Sequence, residues 1–212
     1  LEQLEEELKD KMKKLYLPQP DEKTGIIPQF DGYFDLKEID LSVYKNASVV
    51  GTVFHDYSGE DVQGMQAGKQ ADIVELLYQM EDITTPDNKA KNYVYYEART
   101  LHDSSLSKAI HSITACDLGM EKEAYEMFMS AALTDLGQEM KSSDAGIHSA
   151  NMGGVWQDVV MGFGGIRIRD GHLRIAPKCP KQWEKFTYPL YWKGNELHIT
   201  CLLYTSPSPR DA

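Results

Sequence analysis

Residues Gly146 to Gly165 read GIHSANMGGVWQDVVMGFGG, with a histidine, hydroxyl and amide side chains and two glycine pairs laid over a helical apolar pattern. Backbone N–H groups, an imidazole and hydroxyls gathered at one helix entrance are what binding an anion or a sugar phosphate requires. The same residues fit a plainer account, because glycine pairs permit close helix packing and a histidine within a helix is commonly a satisfied interior residue. On this stretch alone both accounts stay open.

Two further clusters offer chemistry. YYEARTLHDSSLS, from Tyr95 to Ser107, sets Glu97, Arg99, Thr100, His102, Asp103, Ser104 and Ser105 just ahead of a helix. That is more polar function than an N-cap needs, and it suits an imidazole, hydroxyls and a carboxylate converging on one ligand. Gly68-Lys69-Gln70-Ala71-Asp72 opens another helix, where Lys69 and Gln70 supply donors for sugar hydroxyls; a solvated helix cap is the alternative. Neither a Ser-His-Asp order, a GxSxG elbow nor a phosphate-binding Walker sequence occurs, which weighs against acyl transfer and nucleotide hydrolysis. His102 and His148 lack a third ligand at metal spacing, so no metal site is expected.

The elements that must position these residues are mostly helices. An amphipathic helix is expected over residues 1–16, ended by Pro18 and Pro20, then a long ordered loop over 24–36 and an aperiodic stretch over 37–65 with short helical pieces. Helical periodicity returns from Lys69 to Met80, and a helix with proline in its first turn is expected from Pro86 to about Tyr96. Further helices are expected over Ser104–Leu118, Glu121–Leu136 and Ile147–Met161, the first two stopped by Gly119 and Gly137. Strict alternation then brackets Asp170-Gly171 and, again, Lys193-Gly194-Asn195, predicting two β-hairpins. A helical array followed by hairpins is not a βαβ fold.

Composition narrows the partners. Lys+Arg 22 against Asp+Glu 33 gives a net charge of -11, which argues against nucleic acid and anionic membranes. Apolar runs are too short for a membrane span, and no signal-peptide core is visible. Cys116, Cys179 and Cys201 form neither a disulfide framework nor a metal motif, the usage of a reducing, cytoplasmic setting. The start in mid-helix without a methionine, and hairpins whose edges lack partners, lead us to expect a fragment. CLLYTSPSPRDA at 201–212 resembles the translation of a sequencing-library adapter and is expected to be non-native; a genuine Ser/Pro-rich disordered tail is the alternative.

KQAD at 69–72, YYEARTLHDSSLS at 95–107 and GIHSANMGGVWQDVVMGFGG at 146–165, in this order and spacing, resemble glycoside hydrolase family 65, whose members include inverting phosphorylases of α-linked glucosyl disaccharides. The resemblance runs from about residue 24 to 200. It implies a mainly α fold, the C-terminal part of an (α/α)6 barrel over 1–165, followed by the first strands of a small C-terminal β-domain over 166–200. It implies cleavage of an α-glucosyl disaccharide by inorganic phosphate, giving β-glucose 1-phosphate, with phosphate as co-substrate and no cofactor. Lys69 and Gln70 would hold the glucosyl unit. Thr100, His102, Ser104, Ser105, His148, Gly153 and Gly154 would face phosphate, with imidazoles and backbone donors offsetting its charge.

In that family the general acid is a glutamate in a motif with Trp and Asp-Glu upstream of KQAD. The first tryptophan here is Trp156, so the acid is expected outside this chain and the chain inactive alone, with Glu97 orienting neighbours. HDSSLS with SSDAGIHSA resembles the kojibiose and nigerose enzymes more than the maltose enzymes, and family members are often homodimers. A family α-glucosidase using water, or a non-catalytic helical carbohydrate-binding module, are the alternatives.

Overall fold

A computed structural model describes residues 2–45, 47, 49–136 and 146–203. Positions 142–145 of the SSDAGIHSA run and all but the first three residues of the expected adapter tail lie outside the described residues. The first helix, α1 (Glu2–Lys14), carries i,i+4 pairs between Lys9 and Glu5 and between Lys14 and Asp10. Its apolar stripe of Leu4, Leu8 and Met12 is exposed, Met12 by 73%, so neither face is packed here.

The loop that follows is ordered, as its aromatics and glycines suggested. Ile26, Ile27 and Tyr33 enter the main core, and Asn92 fixes their backbone by accepting from Ile27 N at 2.8 Å and donating to Gly25 O. The aperiodic stretch forms two short helices, α2 (Ser42–Lys45) and α3 (Gly59–Gln63), with a turn of 3-10 helix between them. A reciprocal Ser58–Asp61 capping box begins α3.

The helical array comprises α4 (Ile73–Gln79), α5 (Pro86–Ala98), α6 (Ser107–Leu118), α7 (Glu121–Ala132) and α8 (Ser149–Gln157). Thr85 caps α5 by accepting from Asn88 N, beside the expected first-turn proline. Four of these helices are shorter than their periodicity suggested. α7 stops at Ala132 rather than Leu136, because the chain tightens into turns in which Thr134 N bonds Ala131 O and Leu136 N bonds Leu133 O. α4 begins at Ile73, because Gly68 is held by the segment at Thr100. α6 begins at Ser107, because Ser104 to Leu106 form a turn closed by Ser107 N on Ser104 O. α8 gives way at Asp158 to π-helical turns over Asp158–Phe163.

α6 lies at the centre, buried without a break from Ala109 to Cys116, which only an interior helix permits. α4 and α8 pack on its two sides, and α5 and α7 back it. One groove is lined by Glu75 of α4, by Leu106 just before α6, by Ile110 of α6 and by Ala150 and Gly153 of α8, so the first turns of α4, α6 and α8 lie together at one end of an inner layer.

Both expected hairpins are present. β1 (Ile166–Arg169) pairs with β2 (His172–Ile175), and β3 (Lys185–Trp192) with β4 (Asn195–Leu202). Each turn has two central residues with positive φ, Asp170 and Gly171 in one, Lys193 and Gly194 in the other, the twist that suits a tight hairpin. The second turn is therefore one residue tighter than expected, with Asn195 already opposite Trp192. β4 runs to Leu202, so that Cys201 and Leu202, placed beyond the β-domain by composition, pair with Phe186 and Lys185.

Aromatic and ionic contacts join the hairpin region to the helices. Trp183 meets Phe128, Phe163 and Phe186 in edge-on ring contacts. Arg167 of β1, 6% exposed, grips both Asp117 oxygens at 2.8 Å, at the C-terminal end of α6, and Glu81 at 2.9 Å, just beyond α4. Arg169 and Arg174 also reach Glu81. Among the described residues no helix is long and apolar enough to cross a membrane.

Candidate functional site

The three polar clusters each precede an inner helix, and the fold brings them to one end of the layer. The first two are stitched together by backbone: Gly68 N donates to Arg99 O and Leu101 N to Gly68 O, both at 2.8 Å. Lys69 and Gln70 protrude from this junction, exposed. Arg99 turns away from them to lie over the Tyr95 ring, and donates to Gln66 and Glu38.

Thr100 and His102, expected to face phosphate, are buried and committed to protein partners. The Thr100 hydroxyl donates to Tyr96 O at 2.6 Å, the back-bond that ends a helix turn. His102 has φ 53, and its Nδ1 lies 2.8 Å from Ser107 Oγ and its Nε2 3.4 Å from Glu97 Oε1. Glu97 in turn accepts from Lys45 Nζ at 2.5 Å through its carboxylate, and again through its backbone carbonyl.

The order Glu97, His102, Ser107 has the look of a nucleophilic relay, but Ser107 is 1% exposed and its hydroxyl meets no substrate. It is a brace that sets the loop from Asp103 to Leu106. The Glu97 carboxyl settles at about 2: burial pushes it up, but hydrogen bonds from His102 and Lys45 and the Lys45 charge more than offset that. Burial keeps His102 below the usual imidazole range, against the pull of Glu97.

Beneath it sits His111, fully buried and edge-on to the His102 ring at 4.6 Å, with no hydrogen-bond partner for either nitrogen among the described residues. Burial holds it neutral. With the imidazole committed, the polar groups of this loop that remain toward the surface include Ser104 and Ser105, both half-buried in the turn.

The third cluster is anchored by a residue the sequence did not single out. Asp135 accepts from His148 N at 2.8 Å and lies 2.7 Å from His148 Nδ1, which fixes the ring and leaves Nε2 as the nitrogen not held by Asp135. These bonds hold the Asp135 carboxyl below its ordinary range.

The glycine pair divides. A Cβ on Gly154 would come 3.2 Å from the Ala109 Cβ, so this glycine serves close packing of α8 on α6; a Cβ on Gly153 would meet nothing within 4 Å. Because α8 starts at Ser149, both N–H groups fall within the reach of the helix ladder. Asn151 N and Met152 N are likewise bonded to His148 O. The expected backbone donors are thus spent on the helix, and Gly153 contributes space instead. Asn151, buried, ties α8 to α7 by donating to Ala131 O.

Sequence reasoning also missed Lys45 and Ser107. Lys45 lies 52 residues from Glu97 in a stretch without period, so no local signal announces the pair. Ser107 was in the motif but read only as part of a helix. Among the described residues no group of three or more His, Cys, Asp or Glu could hold a metal ion.

Comparison with known proteins bears on this arrangement. The model for the glycosyl hydrolase family 65 central catalytic domain matches residues 1–157, and that for the family 65 C-terminal domain residues 166–201. A kojibiose phosphorylase of Halothermothrix orenii is 45% identical over 194 residues, 91% of this chain and 24% of that protein. One of Escherichia coli is 40% identical over 191 residues, 89% and 25% of the two chains. A nigerose phosphorylase of Lachnoclostridium phytofermentans is 31% identical over 199 residues, 92% and 26%. A solved structure titled "Putative kojibiose phosphorylase from human microbiome" superposes with a TM-score of 0.77 at 29% identity, covering 88% of this chain and 27% of the other. The chain spans about a quarter of the length of the curated relatives it matches.

Proposed function

The chain belongs to glycosyl hydrolase family 65, and from that premise we propose that it carries one wall of the active site of an inverting α-glucoside phosphorylase of kojibiose type. Helices α4 to α8 belong to the family's (α/α)6 barrel. In this reading the barrel part extends to about residue 165 and the β-domain begins at 166. The observation that supports the reading is the joining of KQAD to the HDSSLS segment by the Gly68–Thr100 bridge, with the first turns of α4, α6 and α8 sharing one groove beside it.

The chemistry follows from what each group can do. Phosphate is already a competent nucleophile, so one general acid suffices, and neither cofactor nor metal is needed. The acid protonates the glycosidic oxygen while phosphate attacks the anomeric carbon from the opposite face. This inverts the centre and releases β-glucose 1-phosphate and the second sugar. Lys69 and Gln70 hold the glucosyl hydroxyls. Ser104 and Ser105 donate to phosphate oxygens, and His148, oriented by Asp135, presents Nε2 to the same anion.

Thr100, His102 and Glu97 act at one remove, by holding the loop that carries the serines. The acid lies outside the motifs of this chain, so the chain alone turns over no disaccharide. The complete enzyme is read as a cytoplasmic homodimer.

A family α-glucosidase would use water in place of phosphate. Assay of the complete protein on kojibiose separates the two: glucose 1-phosphate formed only when inorganic phosphate is present is the expected result. Sugar release at the same rate without phosphate overturns the phosphorylase reading.

A further inference from the structure

Along the seam of α4, α6 and α8 runs a groove of 370 Å³ that none of the three motif loops fills. Its floor is apolar, Leu106 from the turn before α6 and Ile110 of α6, and it stays open because Gly153 puts no side chain into it. Glu75 of α4 borders it on one side, and Trp156 and Gln157 of α8 on the other. Trp156 is 57% exposed. An indole that lies outside the core and has no ring partner among the described residues, beside a carboxylate and an amide, needs an account.

We infer that this groove binds a pyranose ring, with Trp156 as the flat surface on which the sugar lies and Glu75 and Gln157 as the groups that fix its hydroxyls. A pyranose offers an apolar C–H face and a rim of hydroxyls, and the groove offers the complement of each. The Trp face has negative π density toward polarised C–H groups. The Glu75 carboxylate accepts two hydroxyl hydrogens, and the Gln157 amide both donates and accepts. The volume falls within the range of small-ligand sites, and the mix of apolar floor and few polar groups is typical of them.

Glu75 also decides against the other candidate ligand. A carboxylate on the wall of a partly enclosed groove repels phosphate, whereas it gains from neutral hydroxyls. Glu75 stands one turn of α4 below Asp72, directly beneath the KQAD loop, so the groove continues the surface assigned to the glucosyl unit. The inference deepens the proposed function: it names residues for the sugar that the motifs did not include, and it makes Gly153 a sugar-side residue.

The test is titration of the 15N-labelled chain with glucose, with inorganic phosphate and with the acyclic polyol sorbitol. The indole N–H signals of Trp156, Trp183 and Trp192 are assigned by Trp→Phe substitution. Glucose is expected to move the Trp156 signal and leave Trp183 and Trp192 in place, and sorbitol to move none. Glu75→Gln is expected to weaken glucose about tenfold, the loss of one charged hydrogen-bond acceptor. Gly153→Val, which fills the groove without disturbing a packed neighbour, is expected to abolish the shift. Unchanged Trp183 and Trp192 signals show that the variants remain folded.

A Trp156 signal indifferent to glucose, or equally sensitive to sorbitol, overturns the inference whatever phosphate does. If glucose moves Trp156 while phosphate leaves the Ser104 and Ser105 amides unmoved, the sugar groove stands and the phosphate site fails.

Discussion

Asp158 is buried and Glu97 half-buried, and their neighbours send them in opposite directions. Glu97 keeps its charge because Lys45 and His102 meet it, and its carboxyl sits at about 2. The unfolded chain binds that proton more readily. The stabilisation is therefore complete above the ordinary carboxylate range and is lost as pH falls from there toward 2, a contribution of about 3 kcal/mol. Glu97→Gln is expected to be less stable than the wild type at neutral pH and to show a shallower loss below about pH 5, read from urea melts across that range.

Asp158 has only the Ser112 hydroxyl, with no partner for its second oxygen among the described residues, and burial pushes its carboxyl up to about 8. Its neutral form is the one the fold accepts, so stability is complete at acid pH and is lost as pH rises through about 8. Asp158→Asn keeps the shape without the charge. It is expected to gain on the wild type steadily between about pH 4 and about pH 8; parallel curves in that interval would refute the assignment. Neither behaviour was legible in the sequence, which singled out Glu97 as an orienting carboxylate without its Lys45 partner and left Asp158 as an ordinary acid in a helical segment. Lys45 and Ser112 are brought to them by folds of the chain 52 and 46 residues long.

At the scale of the element, α8 shows what a glycine pair does. Both glycines cost the helix conformational freedom, and alanine at either position returns about 1 kcal/mol of helix propensity. Gly153→Ala has room for its methyl and is expected to collect that gain. Gly154→Ala pushes against Ala109 on α6 and is expected to fall short of it or to lose stability, as compared in thermal melts of the two variants. An equal gain at both sites contradicts the packing assigned to Gly154.

The existence and type of α4 to α8 and of both hairpins were readable from period and turn residues. The boundaries set by Pro86, by Gly119 and by Glu121 were readable as well, and the others were not. α4 and α6 are shortened where the preceding loops are hydrogen-bonded to other segments or to themselves, and α8 is changed where Asp158 and glycines admit π turns.

For the whole molecule, the weight falls on the junction of helices and hairpins. Arg167 is buried, while Asp117 and Glu81 keep part of their surface in water, with side chains 23% and 16% exposed, and retain Lys89 and Arg169 as partners. Removing the guanidinium leaves them underpaired, at a cost near the low end for a buried pair, about 3 kcal/mol. Arg167→Met is expected to lose that amount in denaturant melts and to expose the 176–184 connection to protease before the helices unfold. Loss of less than about 1 kcal/mol, the value of a surface pair, would show that the clamp is not needed.

The overall charge of -11 does not by itself oppose the proposed anion site at the motif end, because hydrogen-bond donors such as those proposed at Ser104, Ser105 and His148 act at contact distance while the acidic surface is screened beyond about 10 Å.

The sequence by itself determined the helical class, the hairpins and the family, because these depend on period, turn residues and motifs read along the chain. It also determined which loops carry polar groups. Only the tertiary structure decided which of those groups remain for a ligand. His102 and Thr100 were drawn from the same motif as Ser104 and Ser105, but burial obliges a polar side chain to find protein partners, and theirs are Ser107, Glu97 and the Tyr96 carbonyl. Gly153 and Gly154 are identical in sequence terms, and one packs against α6 while the other opens a groove, because they project from α8 about 100° apart around its axis.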